Sequence, residues 1–304
     1  CQQRNTYKRS IEMKKNKLIL AGSGYLGSYL IKLLNEDDRY QEVIELARSA
    51  TKQSDKTIRI IRDFDSKEMD LRCINGGEVV YMAPPNNNGT EDKRLSNFIR
   101  NIKNHNIRKF LYISTSGVYG NCNGELVDEL RKPRPQTDRA KRRLDAERQL
   151  TNYCHSKKIK LIILRTPGIY GKGRLPIDKI KNGEPVIQKK ESRVTNLIHV
   201  EDLARVTLAA LDNDKLMVIE IINVSDGNPI TSTEYYETIC ELIGIKNMMY
   251  ISYKEAQNIY TDKRLSFLNE SRMLSAEKMF RLFPNCIKYR DLKKGVEYSL
   301  DSQT

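Results

Sequence analysis

The chain has 304 residues, 39% of them hydrophobic and 30% charged, which is enough for one large domain or two modest ones with a substantial core. Its apolar runs are only as long as strands, such as "LIIL" at 161–164, so we expect no transmembrane helix and no membrane partner. The formal charge is +14, but lysine and arginine are spread along the whole chain and no nucleic-acid-binding motif occurs, so we expect no specific nucleic acid partner.

Cysteine and histidine are too scattered to build a metal centre. The six cysteines form no CxxC pair, and the three histidines lie far apart along the chain. This pattern is typical of a reducing compartment, so we expect a cytoplasmic protein without a metal site. Residues 1–12 are polar throughout, and we predict that they form a disordered N-terminal extension before a domain that starts at 13.

The first half of the chain alternates short apolar strands with amphipathic helical segments. The predicted strands cover 17–21, 42–46, 58–61, 78–82, 109–114 and 160–165, and the predicted helices cover 25–35, 91–105 and 137–155. Continuous Val/Ile/Leu strands separated by helices are typical of a parallel sheet covered on both faces. Residues 13–165 are therefore predicted to form a doubly wound α/β domain that binds ligands at the carboxyl ends of its strands.

The second half of the chain is less regular. It contains a predicted helix at 199–212, a strand at 219–224 and a helix at 231–244 that Gly244 ends. We interpret 166–304 as a small mixed cap that shares elements with the main sheet and carries the substrate.

The stretch "GSGYLG" follows the first predicted strand directly and opens a helix. The first glycine permits the tight turn, the second lets the backbone approach a pyrophosphate, and the third lets the helix pack on the strand. The phosphates would meet the exposed N–H groups at the positive end of that helix. We therefore predict a Rossmann dinucleotide-binding domain with a cofactor-binding loop formed by Gly22, Ser23, Gly24, Tyr25, Leu26 and Gly27.

The end of the second strand predicts which dinucleotide is bound. Folds of this type place an acid there for the ribose 2′-OH, but this chain has Ala47 followed by Arg48. An arginine beside a small residue suits a 2′-phosphate, so we expect NADP, with NAD as the alternative if Glu45 is the ribose ligand. After the third strand, Asp63 is placed to reach the adenine amino group, or is a solvated loop acid.

Several longer motifs occur in a characteristic order. They are "ISTSGVYG" (113–120), "LRTPGIYGKGR" (164–174), "NLIHVEDLARV" (196–206) and "INVSDG" (222–227). Together they resemble the extended short-chain dehydrogenase/reductases, the NAD-dependent epimerase/dehydratase family, and most closely its atypical YeeZ-like branch. The resemblance covers residues 17 to about 245 and implies an NAD(P)-dependent oxidoreductase or epimerase-type enzyme.

The resemblance also implies roles for individual residues. Thr115, with Ser114 and Ser116 beside it, would hydrogen-bond the substrate carbonyl, and Ser114 would also border the cofactor. Ala83, Pro84 and Pro85 would lie on the adenosine side, and Thr166, Pro167 and Gly168 would border the nicotinamide. His199 would order the turn before its helix.

The usual catalytic pair of a YxxxK helix is absent. In "QTDRAKRRLDAE", the tyrosine position falls on Arg139 and the lysine position on Arg143. A guanidinium cannot exchange a proton near neutral pH, but it can bind an anion bidentately or polarise a carbonyl. The residues therefore predict a small anionic carbonyl or sugar-nucleotide-like substrate, held by Arg139 and Arg143 on one helix face.

Other interpretations of this helix stay open. Arg139 and Arg143 could instead form salt bridges to Asp128, Glu129 or Glu147, while Lys141 and Arg142 should point outward. The proton would come from water, from the substrate, or from Tyr119 or Tyr170, and Tyr119 is included in the catalytic set. Each of these two tyrosines could instead pack as an amphipathic wall of the site. A protein that binds the dinucleotide without catalysis and senses its state is the alternative function, and the oligomeric state is left open.

Overall fold

The computed structural model describes residues 16–49 and 56–301, so the predicted extension at 1–12 lies outside the described residues. The described strands are β1 Lys17–Ala21, β2 Glu42–Ala47, β3 Thr57–Ile61, β4 Glu78–Tyr81, β5 Lys109–Thr115, β6 Leu126–Val127, β7 Lys160–Thr166, β8 Gly168–Tyr170, β9 Val186–Ile187, β10 Val194–Thr195, β11 Leu197–His199, β12 Ile219–Asn223, β13 Ile230–Thr231, β14 Tyr250–Ile251 and β15 Met273–Leu274. The described helices are α1 Tyr25–Leu34, α2 Lys93–Ile102, α3 Asp138–Lys157, α4 Ile177–Lys181, α5 Val200–Asp212, α6 Ser232–Leu242, α7 Tyr253–Ile259, α8 Asp262–Leu268, α9 Glu277–Leu282 and α10 Leu292–Asp301.

Seven parallel strands form the central sheet, in the order β12-β7-β5-β4-β1-β2-β3. The chain moves outward from β1 in one direction through β2 and β3, then returns to place β4, β5, β7 and β12 on the other side. The switch point therefore lies between β1 and β4, where a ligand can enter beyond the carboxyl ends of the strands. The predicted doubly wound Rossmann α/β fold is confirmed.

Alternation along the strands divides the core between the two faces of the sheet. In β1, Leu18 and Leu20 pack with α1 and α5, whereas Ile19 and Ala21 pack with α2 and α3 on the opposite face. All four side chains are fully buried. Successive residues of a strand point to opposite faces, so a strand covered on both sides is apolar throughout.

The helices begin at capping residues that the sequence contains. Thr137 accepts a hydrogen bond from the Ala140 N–H at the start of α3, and Thr231 forms a capping box with Glu234 at the start of α6. Helix α6 ends at Leu242, and Gly244 follows in the left-handed region with φ of 75°. These bounds agree with the predicted helices to within a few residues.

Part of the predicted cap region joins the main sheet, because β12 pairs with β7 as an edge strand. The short strands β8 and β11 pair with each other next to the carboxyl edge of that sheet. Across residues 16–49 and 56–301, no helix combines the length and the apolar character needed to cross a bilayer.

Candidate functional site

The loop after β1 has the geometry of a phosphate-binding turn. Gly22 has φ of 81°, and a Cβ placed on it would lie 2.5 Å from the Ala83 backbone nitrogen, so the turn requires glycine there. At Gly24, which precedes α1, the nearest atom to such a Cβ is the Gly22 carbonyl oxygen at 3.9 Å. The space in front of Gly24 is therefore open, and a ligand can approach the first N–H groups of α1.

A cavity of about 700 Å³ opens in front of this loop. It brings together seven of the residues predicted to bind the cofactor, namely Gly22, Ser23, Gly24, Tyr25, Arg48, Ala83 and Pro84. Leu26 and Gly27 are buried within α1 behind the loop, and a Cβ on Gly27 would lie 2.4 Å from Ser23 Oγ. The cavity size and the open backbone at Gly24 fit part of a dinucleotide.

The carboxylate of Glu45 lies at the floor of this cavity and already has three donors. It accepts hydrogen bonds from Ser23 Oγ at 2.8 Å, Thr57 Oγ1 at 2.8 Å and Arg59 Nη2 at 2.6 Å. Glu45 is fully buried, and β2 continues past it to Ala47. Glu45 therefore joins the phosphate loop to β3, and any ribose hydroxyl would compete with these donors.

Four arginines line the cavity: Arg48, Arg59, Arg62 and Arg94. Arg94 forms two hydrogen bonds of 2.7 Å with Asp65, and Arg62 donates to the carbonyls of Asp70 and Ile61. Arg48 is exposed at the rim directly after β2 and, within the described residues, makes no hydrogen bond or ion pair.

Asp63, which the sequence placed near the adenine amino group or in a solvated loop, does not line this cavity. Its Oδ1 accepts a hydrogen bond from the Asp65 N–H at 3.0 Å, which closes a turn on the exposed surface. The next residue, Phe64, is 5% exposed, stacks on Tyr81 and lines the cavity instead. The turn reverses the chain at Asp63 and so directs the aromatic ring, rather than the carboxylate, toward the site.

Ser114 and Thr115 end β5 at the same carboxyl edge. Thr115 Oγ1 accepts a hydrogen bond from the Gly117 N–H at 3.1 Å, and Thr115 is only partly buried, so its hydroxyl can still donate to a ligand. Ser114 Oγ donates to Glu147 at 2.5 Å, and Glu147 in turn pairs with Arg165 at 2.6 Å. Thr115 is therefore partly accessible at the carboxyl edge of β5, whereas Ser114 belongs to a buried polar network.

Helix α3 runs alongside this edge and presents Arg139 and Arg143 one turn apart. Arg143 Nη1 donates to Tyr112 Oη at 3.0 Å and to the Ile113 and Ala83 carbonyls at 3.3 and 3.4 Å. Arg143 thus lies between β4 and β5, in contact with a cavity residue. Arg139 is exposed at the start of the helix, near Glu270.

The cationic residues of α3 have different surroundings, which bears on the salt bridges and outward orientations considered for them. Glu147 pairs with Arg165 instead of Arg143. The expectation that Arg142 points outward is wrong, because Arg142 is 8% exposed and donates to the Gly89 carbonyl at 2.5 Å. The loop after β4 folds over that side of α3, which the sequence alone does not show. Lys141 does lie at the surface, paired with Asp138 at 3.2 Å.

The two loop tyrosines are buried, in contrast to the predicted proton-exchanging role of Tyr119. Tyr119 is 2% exposed, its hydroxyl donates to Asn223 Oδ1 at 2.8 Å, and the Arg165 guanidinium lies over its ring at 4.8 Å. Burial raises the pKa of Tyr119 to about 12. Tyr170 is 1% exposed, and burial also raises its pKa. Both tyrosines therefore lie in hydrophobic clusters as packing residues.

The end of β7 and the residues after it lie beside Ser114 at the carboxyl edge of the sheet. Thr166 Oγ1 donates to the Ser114 carbonyl at 2.7 Å, and Pro167 and Gly168 follow at the surface. His199 caps α5 through Nδ1, which accepts a hydrogen bond from the Glu201 N–H at 3.2 Å. Burial lowers the pKa of His199 to about 4, so the ring stays neutral and structural near pH 7.

Several cavity residues were missed by sequence reasoning, namely Ser28, Ile31, Arg59, Arg62, Phe64 and Arg94. Arg62 could have been found, because it directly follows β3 and therefore lies at the carboxyl edge of the sheet. Arg94 gives no local signal, since it reaches the cavity from α2.

The fold and the loop define a Rossmann domain whose glycine-rich turn after β1 faces a cavity at the carboxyl edge of the sheet. A family model described as "NAD dependent epimerase/dehydratase family" matches residues 18–225. The chain belongs to this family, as the motif resemblance predicted. The family match does not distinguish its branches, so the YeeZ-like assignment stays a prediction.

Individual relatives are distant in sequence. A putative UDP-glucose 4-epimerase of Methanocaldococcus jannaschii is 24% identical, over 81% of this chain and 89% of its own length. Among solved structures, a functionally unknown conserved protein from Silicibacter pomeroyi matches with a TM-score of 0.77 and 24% identity, covering 95% of this chain and 100% of its own. UDP-glucuronic acid 4-epimerase from Bacillus cereus, in complex with NAD, matches with a TM-score of 0.76 and 18% identity, covering 94% and 97%.

Proposed function

We propose that the chain is an NAD(P)-dependent oxidoreductase or epimerase-type enzyme acting on a small anionic carbonyl or sugar-nucleotide-like substrate. The observation that carries this proposal is the cavity of about 700 Å³ in front of Gly24, on the same sheet edge as Thr115 and Arg143. The related proteins named above, which include sugar-nucleotide epimerases, support the substrate class. A bound nicotinamide dinucleotide would supply hydride transfer at this edge.

The protein's own groups would divide the remaining work. Gly22, Ser23 and Gly24 hold the pyrophosphate at the start of α1, and Arg48 meets the 2′-phosphate of NADP. Thr115 orients the substrate oxygen, and Arg139 binds an anionic group or polarises the carbonyl. Because neither arginine can release a proton near neutral pH and both loop tyrosines are buried, the proton is exchanged with water or with the substrate itself.

The absence of a Tyr/Lys pair favours a second candidate, a non-catalytic protein that binds the dinucleotide and senses its state. The two candidates differ in turnover. An oxidoreductase oxidises NADPH in the presence of at least one compound from a panel of anionic carbonyls and sugar nucleotides, and an epimerase-type enzyme converts a sugar nucleotide into its epimer without net consumption of the cofactor. A sensor binds NADPH and leaves both the cofactor and every compound of the panel unchanged.

Titration calorimetry with NADPH and NADH tests the cofactor site that both candidates share. Gly24→Val should abolish binding, because its side chain fills the space in front of the loop, yet it should leave the melting temperature unchanged, since that space is empty of protein atoms. Gly22→Ala is the matched control and should lower the melting temperature, because its Cβ meets Ala83 at 2.5 Å. Unchanged affinity in Gly24→Val would remove the cofactor assignment.

A further inference from the structure

Among the described residues that line the cavity, the single acidic side chain is that of Glu45, and four arginines accompany it. Its neighbours Ile44 and Leu46 pack with α2 and α3 on one face of the sheet. Successive residues of a strand point to opposite faces, so Glu45 points to the α1 face, where its Oε2 accepts a hydrogen bond from Ser23 Oγ at 2.8 Å. The carboxylate therefore reaches the loop that is proposed to hold the cofactor pyrophosphate.

Arg59 compensates the charge of this carboxylate. The two residues lie directly opposite each other on the parallel strands β2 and β3, and Arg59 Nη2 donates to Glu45 Oε2 at 2.6 Å. The side chain of Glu45 is 1% exposed and that of Arg59 is 12% exposed. Thr57 Oγ1 donates to the other carboxylate oxygen at 2.8 Å. Burial of a charge is costly unless the charge is paired and hydrogen-bonded, and Arg59 supplies both conditions for Glu45.

NAD and NADP make opposite demands on a carboxylate at this place. The ribose 2′-hydroxyl of NAD donates a hydrogen bond to a carboxylate oxygen, whereas the 2′-phosphate of NADP is an anion that a carboxylate repels. Both oxygens of Glu45 already accept hydrogen bonds, and Arg59 balances its charge. In this state, Glu45 has little to offer a 2′-hydroxyl and repels a 2′-phosphate only weakly.

The depth of the pair favours an action of Arg59 through Glu45 over a direct contact with the phosphate. β2 ends at Ala47 and β3 ends at Ile61, and these two residues are in register. Glu45 and Arg59 each come two positions earlier, about 7 Å below the carboxyl edge of the sheet. Arg48, by contrast, follows β2 at the edge itself and is exposed.

We propose that Arg59 is a positioning residue that sets the cofactor preference of this site. By binding Glu45, it keeps the carboxylate away from the ribose and balances its charge, so that the site takes the 2′-phosphorylated dinucleotide NADP in preference to NAD. The inference rests on the proposed cofactor site and adds a second determinant of its specificity. Arg48 contacts the 2′-phosphate, and Arg59 restrains the group that repels it.

The test measures the preference for the 2′-phosphate by titration calorimetry, as the dissociation constant for NADH divided by that for NADPH. Arg59→Met leaves the charge of Glu45 uncompensated and frees its Oε2, so NADPH binding should weaken and NADH binding should hold or improve. The preference should fall about tenfold or more. Arg108→Met is the matched control, because it breaks an arginine–glutamate pair with Glu78 outside the cavity and should leave the preference unchanged.

The double variant Arg59→Met/Glu45→Gln separates an action through Glu45 from a direct contact between Arg59 and the phosphate. It lacks the carboxylate charge, so its preference should return to within about twofold of the wild type. Arg59→Lys keeps a cation opposite Glu45 and should retain most of the preference. If Arg59→Met does not fold, Arg59→Gln, which keeps a donor for Glu45 without the charge, takes its place in the comparison.

Three results would overturn the inference: an unchanged preference in Arg59→Met or Arg59→Gln, an equal loss of affinity for both cofactors, or a preference that stays low in the double variant. A merely structural role of Arg59 would give the second of these results. A wild-type preference for NADH would overturn the inference as well. Failure of the wild type to bind either cofactor would instead overturn the proposed function.

Discussion

Replacing Arg48 with alanine tests which dinucleotide the site selects. Of the four arginines that line the cavity, Arg59 and Arg94 are bonded to Glu45 and Asp65, and Arg62 donates to backbone carbonyls. Arg48 makes no such bond within the described part of the chain and lies directly after β2. It is therefore the arginine that can turn toward a 2′-phosphate without breaking an existing contact.

The expected size of the effect follows from the exposure of Arg48. A charge-assisted hydrogen bond contributes about 1.5–3 kcal/mol, which corresponds to about one to two decades in affinity. Because Arg48 is exposed, solvent screening favours the lower end of this range. We expect Arg48→Ala to weaken NADPH binding about tenfold to thirtyfold and to leave NADH binding within about twofold.

Titration calorimetry at about 0.05 M and 0.2 M salt measures both affinities, and the preference for NADPH should shrink at the higher salt. Arg72→Ala is the matched control, because Arg72 is an exposed arginine paired with Asp70 outside the cavity. An equal loss for both cofactors would refute a contact with the 2′-phosphate. A wild-type preference for NADH would refute the NADP assignment and favour Glu45 as the ribose ligand.

Three further predictions concern other parts of the chain. Arg139→Ala should lower turnover, or ligand affinity in the absence of turnover, by about one to two decades, since one charge-assisted contact is lost; wild-type behaviour would leave Arg139 as a surface charge. Glu147→Gln should lower the free energy of unfolding in urea by about 3–5 kcal/mol, because Arg165 is left buried without its counter-ion. Glu125→Gln breaks an exposed ion pair and should lower the free energy of unfolding by less than about 1 kcal/mol. Burial raises the pKa of Asp226 to about 7, above the unfolded value of about 3.9, so its contribution to stability is full below about pH 4 and is lost as the pH rises through about 7. Asp226→Asn should therefore flatten the dependence of the melting temperature on pH between about pH 4 and 7, and its melting temperature should exceed that of the wild type at about pH 8. Parallel pH profiles for the two proteins would contradict this reasoning.

Local sequence was sufficient to predict the parallel sheet, the glycine-rich loop after β1 and the residue at which β2 ends. Apolar strands alternating with amphipathic helices specify a parallel sheet, because each strand must be covered on both faces. The turn after β1 depends on backbone freedom at Gly22, which the residue type itself reveals. Local sequence also predicts that Arg139 and Arg143 lie on one face of α3, because they are four residues apart in a helix.

The surroundings of polar side chains were decided by tertiary structure alone. Tyr119 meets Asn223, and Glu147 meets Arg165, through contacts between residues that are 104 and 18 positions apart. Arg142 is buried because the loop around Gly89 covers it from 53 positions away. A polar group leaves water only where a partner is supplied, and a distant segment supplies that partner here. The sequence by itself determined where the candidate site lies, and the packing of distant segments decided which of the polar groups near it are buried in other contacts.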